Sequence, residues 1–423
     1  METTHKFIEK NQSSEQADHQ RNWVAKKNWL ILVLVFLAYP LMSHAGGLGI
    51  AAILALGGVL GLIGWRPPHP RDIRKSVPAA IWAIMAVLLW AMISTLWSPY
   101  NSGDVLNNAA KLFIGVPLYL AFAVLVVGQS KYSGSSLQWL LISVTFLSSM
   151  AVLGDIVSDY GVTKLFDPLA PKESMNVKRG DMIQNLTHAT SVLVLLFTPV
   201  GLMLWVKGAG GKLAAGGLLV LILAGAIAAN MTSSMLALGL AVVFVFLASY
   251  WPKLMVRIAF FGGGISIFFA PLFGYIASQA GPEIRAQIPF SWEERVVNWS
   301  YMYEKVLQKP WFGHGFDAVR TFNDTHTIRG FEGRALVSLH PHNAGLHIWG
   351  ELGLIGAVLV CLALFYAARK LTQQDVLTEV QLVALAGLTA SAIIIAGFSY
   401  GVWQDWWWAV IIFSGAIIGF VKA

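Results

Sequence analysis

Three polar groups in a mostly apolar chain have the residue types and spacing to act together. They are Arg295, the turn Pro310-Trp-Phe-Gly-His-Gly315, and the run His340-Pro-His342-Asn343. A neutral imidazole can take a proton from a hydroxyl. A guanidinium offers forked donors to phosphate and never loses its charge. Proton abstraction beside a gripped anion is therefore the chemistry this set could support. Pro341 suits the first turn of a helix, where its missing N–H costs nothing, so His342 is expected beside unsatisfied backbone N–H groups. Such a helix end attracts anions and disfavours imidazolium. A histidine that merely closes a helix end fits the spacing equally well. His340 and His342 with His314 or His326 could in principle hold zinc, but no HExxH, paired Cys or Asp-x-Asp accompanies them. No metal and no cofactor is expected.

Further candidates lie elsewhere. Lys178-Arg179-Gly180 precedes Gln184, Asn185, Thr187 and His188. Cations followed by hydrogen-bonding side chains at a helix mouth suit phosphate or sugar, and ordinary headgroup contact is as good an account. Asp405 stands as a lone acid in Tyr400-Gly-Val-Trp-Gln-Asp405-Trp-Trp-Trp. Aromatic platforms with one acid suit sugars, but an interfacial belt needs the same rings. Lys111, near the end of a span, and Arg334, in the long loop, are the remaining cations of interest.

The elements that must position these groups follow from composition. Of 423 residues 56% are hydrophobic, only 12% are charged, and the mean hydropathy is +0.64. Soluble domains carry about a quarter charged residues, so lipid burial is the economical explanation. Apolar runs long enough to cross a ~30 Å hydrocarbon core recur throughout. The class is an all-α polytopic integral membrane protein with about twelve transmembrane helices. Spans are read near 28–46, 48–65, 78–97, 110–128, 136–155, 187–206, 213–230, 234–250, 257–277, 342–368, 380–398 and 406–421. The chain thus divides into a tail at 1–27, helices one to nine at 28–277, a long and partly helical loop at 278–341, and helices ten to twelve at 342–423. No internal repeat is visible.

Lys and Arg crowd one set of span ends, including Lys26, Lys27, Arg66, Arg71, Lys207, Lys253 and Arg369. The positive-inside bias then places both termini in the cytoplasm and the long loop outside, in the periplasm of a Gram-negative cell. The same distribution explains the net charge of +7 without nucleic acid. Cys361 is the one cysteine, so no intramolecular disulfide forms. Within the loop, Ser291-Trp-Glu-Glu294 has the form of a capping box and predicts a helix over 292–308. Trp292, Val296, Trp299, Tyr303 and Val306 form its apolar stripe. Arg295, at the margin, either snorkels to headgroups or grips a substrate phosphate.

These residues resemble the O-antigen ligase and O-antigen polymerase superfamily of bacterial membrane glycosyltransferases. One pattern is H-[N/S/Q]-x9-G-x-x-[G/T/Y], met by His342, Asn343, Gly353 and Gly356. The other is an arginine in a periplasmic helix, Arg295 with Trp299 where the family usually has Leu, followed by the turn Pro310…Gly313-His-Gly315. The resemblance implies transfer of a glycan from undecaprenyl diphosphate to an acceptor, with His342 as base. It implies diphosphate contacts for Arg295 and Arg179, to which Lys178, Arg334 and Lys111 are added. Asn343, His340, Gln184 and Asp405 are the expected sugar or orienting contacts. The expected partners are undecaprenyl-diphosphate-linked O-antigen, lipid A–core oligosaccharide and membrane lipids at the inner membrane. A polymerase or a protein O-oligosaccharyltransferase would use another acceptor. The rival from a different class, a transporter of lipid-linked sugars, should have broken helices or ionisable residues near the midplane; here almost all ionisable residues are read at span ends.

Overall fold

The computed structural model describes the backbone of residues 2–64, 78–100, 104–132, 134–165, 175–374 and 376–422. Side chains are described over the same ranges except 2–21, 48, 104–106, 132, 134, 175–179 and 181. Among the described residues the helices begin with α1 (Glu2–His44), α2 (Leu48–Leu62), α3 (Ala79–Ser94), α4 (Asp104–Tyr132), α5 (Gly134–Val157), α6 (Gly161–Lys164), α7 (Met175–Trp205), α8 (Ala209–Ala228) and α9 (Thr232–Ala248). Then come α10 (Pro252–Phe268), α11 (Ala270–Ser278), α12 (Pro282–Arg285), α13 (Phe290–Gln308), α14 (Ala344–Leu371), α15 (Glu379–Phe398) and α16 (Asp405–Ala416). A hairpin of β1 (Thr325–Ile328) and β2 (Phe331–Ala335) interrupts the loop, pairing antiparallel through His326 and Arg334.

Among the described residues, eight helices are long and apolar enough to cross a membrane. The bent pair α10–α11, turning by 53°, and three shorter apolar helices occupy the other segments read as spans. The chain is thus an all-α, multi-pass membrane protein. Helix α7 is buried along most of its apolar length, from Leu186 to Leu204, and forms the centre of the bundle, with α1, α5, α8 and α15 packed around it. Burying a helix on all sides requires an apolar circumference, which Val192–Leu196 supplies.

The structure corrects several local expectations. No side chain caps α13; its N-cap is Pro289, and Ser291 lies inside the helix. Glu294, the would-be partner of Ser291, is instead paired with Arg334. The buried face of α13 carries Glu293, Val297, Asn298, Tyr301, Met302 and Val306, one residue round from the expected stripe. Arg329 makes this possible by pairing with the buried Glu293 at 2.6 Å. Trp406 and Trp407 are core side chains rather than an interfacial belt. Their rings pack against Tyr400.

Helix α14 is broken. Gly353 has φ 65° and ψ −163°, outside helical space. The break frees backbone groups that lipid cannot satisfy, and the turn at 310–315 fills it. His314 N–H donates to Gly350 O at 2.8 Å and Gly315 N–H to Glu351 O at 2.9 Å. In return Leu354 N–H donates to Pro310 O at 2.8 Å, and Trp90 Nε1 donates to Leu352 O at 3.1 Å. Glu351, buried within α14, is an exception to the placement of almost all ionisable residues at span ends.

Candidate active site

His342 sits two residues before α14 in a left-handed conformation, φ 52°. The helix begins later than Pro341 implies: Asn343 is the N-cap, and its Oδ1 accepts from Leu346 N–H at 3.0 Å. Asn343 is therefore a capping residue that fixes where His342 leaves the helix. The ring of His342 is held from the other side, its Nδ1 lying 2.6 Å from the carbonyl oxygen of Ser399, just beyond α15. A carbonyl can only accept, so Nδ1 carries the proton and Nε2 keeps a bare lone pair. Burial pushes the His342 pKa down; the Ser399 carbonyl opposes this, and the nearby Arg295 cation adds to it. The imidazole is thus neutral at pH 7, chiefly because it is desolvated rather than because of a helix-end field.

Arg295 reaches the same place. Its Nε donates to Phe398 O at 3.1 Å and its Nη1 to Ser291 O at 2.7 Å. The α15 C-terminus, where carbonyls lack helical partners, thus receives both Arg295 and His342 on adjacent residues. Arginine favours such an end electrostatically as well. Nη2 has no hydrogen-bond partner among the described residues. Trp299, the departure from the usual leucine, donates its Nε1–H to Pro341 O at 3.0 Å and so braces the histidine run.

Two polar cavities flank the histidine pair. Arg295, Arg334, Glu294, Asn298 and His342 line one of about 500 Å3. The other, about 460 Å3, holds Lys111, Gln184, Arg320, His340 and Asp405. The rings of His340 and His342 are 4.3 Å apart at the boundary. His340 Nδ1 accepts from His342 N–H at 3.3 Å. Burial first, and His342 next, hold its pKa well below the ordinary histidine value. The sequence-derived candidates thus divide: His342, Arg295 and Arg334 share one cavity, and Lys111, Gln184, Asp405 and His340 share the other. Lys178 and Arg179 fall in the first turns of α7, and their side chains lie outside the described residues. Among the described residues no group of three or more His, Cys, Asp or Glu side chains is placed to hold a metal.

Sequence reasoning missed a third component. Glu351 accepts three donors, the backbone N–H groups of Asp317 (3.0 Å) and Val319 (3.1 Å) and Trp403 Nε1 (2.5 Å), and His347 Nε2 lies 3.3 Å from its Oε1. Such a carboxylate is fully satisfied despite burial. It ties the loop carrying Asp317 and Arg320 to α14 and to the segment before α16. Arg320 and Asp317, bonded at 3.1 Å, line the Lys111 cavity. The usable signal was a lone carboxylate inside a span, which marks a site by default.

The fold and site define a multi-pass helical membrane protein with a histidine and an arginine meeting at one end of a broken helix. Comparison with known proteins places it further. Residues 217–361 match the family described as O-antigen ligase. It is similar to candidate polysaccharide ligases of Rickettsia. Identity is 29% over 124 residues to that of Rickettsia typhi, covering 27% of this chain and 28% of the relative. It is 27% over 151 residues for Rickettsia prowazekii, 32% and 35% of the two chains. For Rickettsia conorii it is 30% over 146 residues, 32% and 34%. The chain spans about a third of the length of these relatives.

Proposed function

We propose that this protein is an O-antigen ligase. It moves a glycan from undecaprenyl diphosphate to a sugar hydroxyl of lipid A–core oligosaccharide, at the periplasmic face of the bacterial inner membrane, with both termini in the cytoplasm. His342 Nε2 takes the proton of the acceptor hydroxyl. The oxygen then attacks the anomeric carbon from the side opposite the diphosphate, the carbon–oxygen bond to the diphosphate breaks, and the configuration inverts. The diphosphate leaves with the electron pair, and Arg295, with Arg334, Arg179 and Lys178, stabilises the charge that builds on it. Lys111, Gln184, His340 and Asp405 face the sugars in the second cavity. The observation that carries this reading is the 2.6 Å approach of His342 Nδ1 to the Ser399 carbonyl, which puts the proton on Nδ1 and leaves Nε2 as the base of a ring that lines the Arg295 cavity.

The test is transfer by the purified chain in lipid nanodiscs. Undecaprenyl-diphosphate glycan is offered with rough lipopolysaccharide, with a second lipid-linked glycan, or with a protein acceptor. Label should reach lipid A–core, with or without chelator. Label found only on the lipid-linked glycan or on protein would replace this reading with a polymerase or a protein transferase. Label confined to the donor, with the lipid itself moved across the bilayer, would favour a transporter.

The depressed His342 pKa has a kinetic consequence. The base form persists below the ordinary value of 6.5, so kcat/KM should stay level as pH falls to that point. It should decline only beneath it, as Nε2 takes up a proton. A midpoint at about 7 or above, where an unperturbed histidine is already neutral, would assign the limb to another group. Arg295→Ala should raise the donor KM by about tenfold or more, the weight of a charge-assisted bond. Arg295→Lys should restore only part of this, since an ammonium cannot span two carbonyls and a phosphate at once. An alanine variant with unchanged KM would make Arg295 a helix-end group alone.

A further inference from the structure

Two side chains of the Lys111 cavity carry polar atoms that nothing in the protein satisfies. His188 is only 5% exposed, and its Nδ1 has no hydrogen-bond partner. With its proton on Nε2, the ring presents a lone pair at Nδ1. Gln404 Oε1 is likewise buried and unpartnered. Both residues line the same cavity of about 460 Å3. Buried acceptors without donors are rare in native proteins, and each calls for an explanation. The occupant must therefore bring hydrogen-bond donors. Phosphate oxygens cannot, and an isoprenoid chain has none to bring. Sugar hydroxyls can, and the half-buried Trp403 ring stands in the same wall.

We propose that His188 and Gln404 form a sugar-hydroxyl subsite, in which hydroxyls of a bound glycan donate to His188 Nδ1 and Gln404 Oε1 and so decide which glycan the cavity accepts. The subsite rests on the glycan-transfer reading above and deepens it. It lies across the histidine pair from Arg295, so sugar recognition and diphosphate holding belong to different walls.

The test is equilibrium binding to the full chain in lipid nanodiscs. The probes are rough lipopolysaccharide, undecaprenyl diphosphate carrying a glycan, and bare undecaprenyl diphosphate. His188→Phe keeps a ring against Tyr400 and Trp406, now 5.1 and 4.5 Å away, but removes the acceptor. Gln404→Met keeps the chain length and removes the amide. Each variant should raise the Kd of one glycan-bearing probe about tenfold, as expected for one or two lost buried hydrogen bonds, and leave the bare diphosphate within about twofold. The probe that weakens identifies whether acceptor or donor sugar occupies the site. Unchanged binding of both glycan probes means that the orphaned atoms hold water only, and overturns the subsite while leaving the transfer reading intact. Equal weakening of all three probes also overturns it, as a general loss of structure. A wild-type chain that binds none of the three removes the transfer reading itself, and the subsite with it.

Discussion

His342→Ala should slow glycan transfer by about 10²–10⁴-fold, the usual contribution of a positioned general base, while undecaprenyl diphosphate still binds. The separation follows from how the site is held. Arg295 is fixed by the carbonyls of Phe398 and Ser291, neither of which needs the imidazole. Alanine at φ 52° also carries backbone strain, of order 1 kcal/mol or more. His342→Asn separates the two effects, since asparagine tolerates left-handed backbone but offers no base. Both variants should lose turnover alike in a single-turnover assay with saturating donor. If the asparagine variant retained wild-type turnover, His342 would be a conformational residue and the base would lie elsewhere.

Gly353→Ala should prevent accumulation of folded protein. A Cβ there would lie 2.4 Å from Trp311 O and 2.6 Å from Gly313 N, in a backbone with φ 65°. Those are main-chain atoms of the turn that fills the break in α14, so no side chain can swing aside. Opening the turn would also orphan Leu354 N–H and Gly350 O inside the bundle, at about 1–3 kcal/mol each. The combined cost, on the order of 5 kcal/mol, is a large part of a typical fold's stability. Gly397→Ala serves as the control. Its new Cβ would meet nothing within 4 Å, and the variant should match the wild type in yield and thermal midpoint. Equal yields of the two variants would mean that the break in α14 is not required.

These two residues also mark the limits of reading the chain by pattern. The spans were legible because lipid imposes one length and one composition on each. The break was not, because Gly353 is a single glycine in an apolar run and its conformation is set by a turn forty residues upstream. The capping box at Ser291 failed for a related reason: Glu294 is drawn to Arg334 across the loop, a contact that local spacing does not encode. His342 and Arg295 were each singled out by type and position. What joins them is the last turn of α15, where Phe398 and Ser399 offer adjacent carbonyls. No motif contains both of those carbonyls and the two side chains they hold. Glu351 was passed over because an isolated carboxylate in a span does not disturb a hydropathy window, although its three hydrogen bonds make it the tie between three segments of the site.

The most direct measurement is nitrogen-15 NMR of the full chain labelled at histidine, with the His342 signals assigned by their loss in His342→Asn. At pH 7 the account predicts a neutral ring with the proton on Nδ1 and an unprotonated Nε2, persisting below pH 6.5. An imidazolium at pH 7, or a proton on Nε2 with Nδ1 bare, would contradict it.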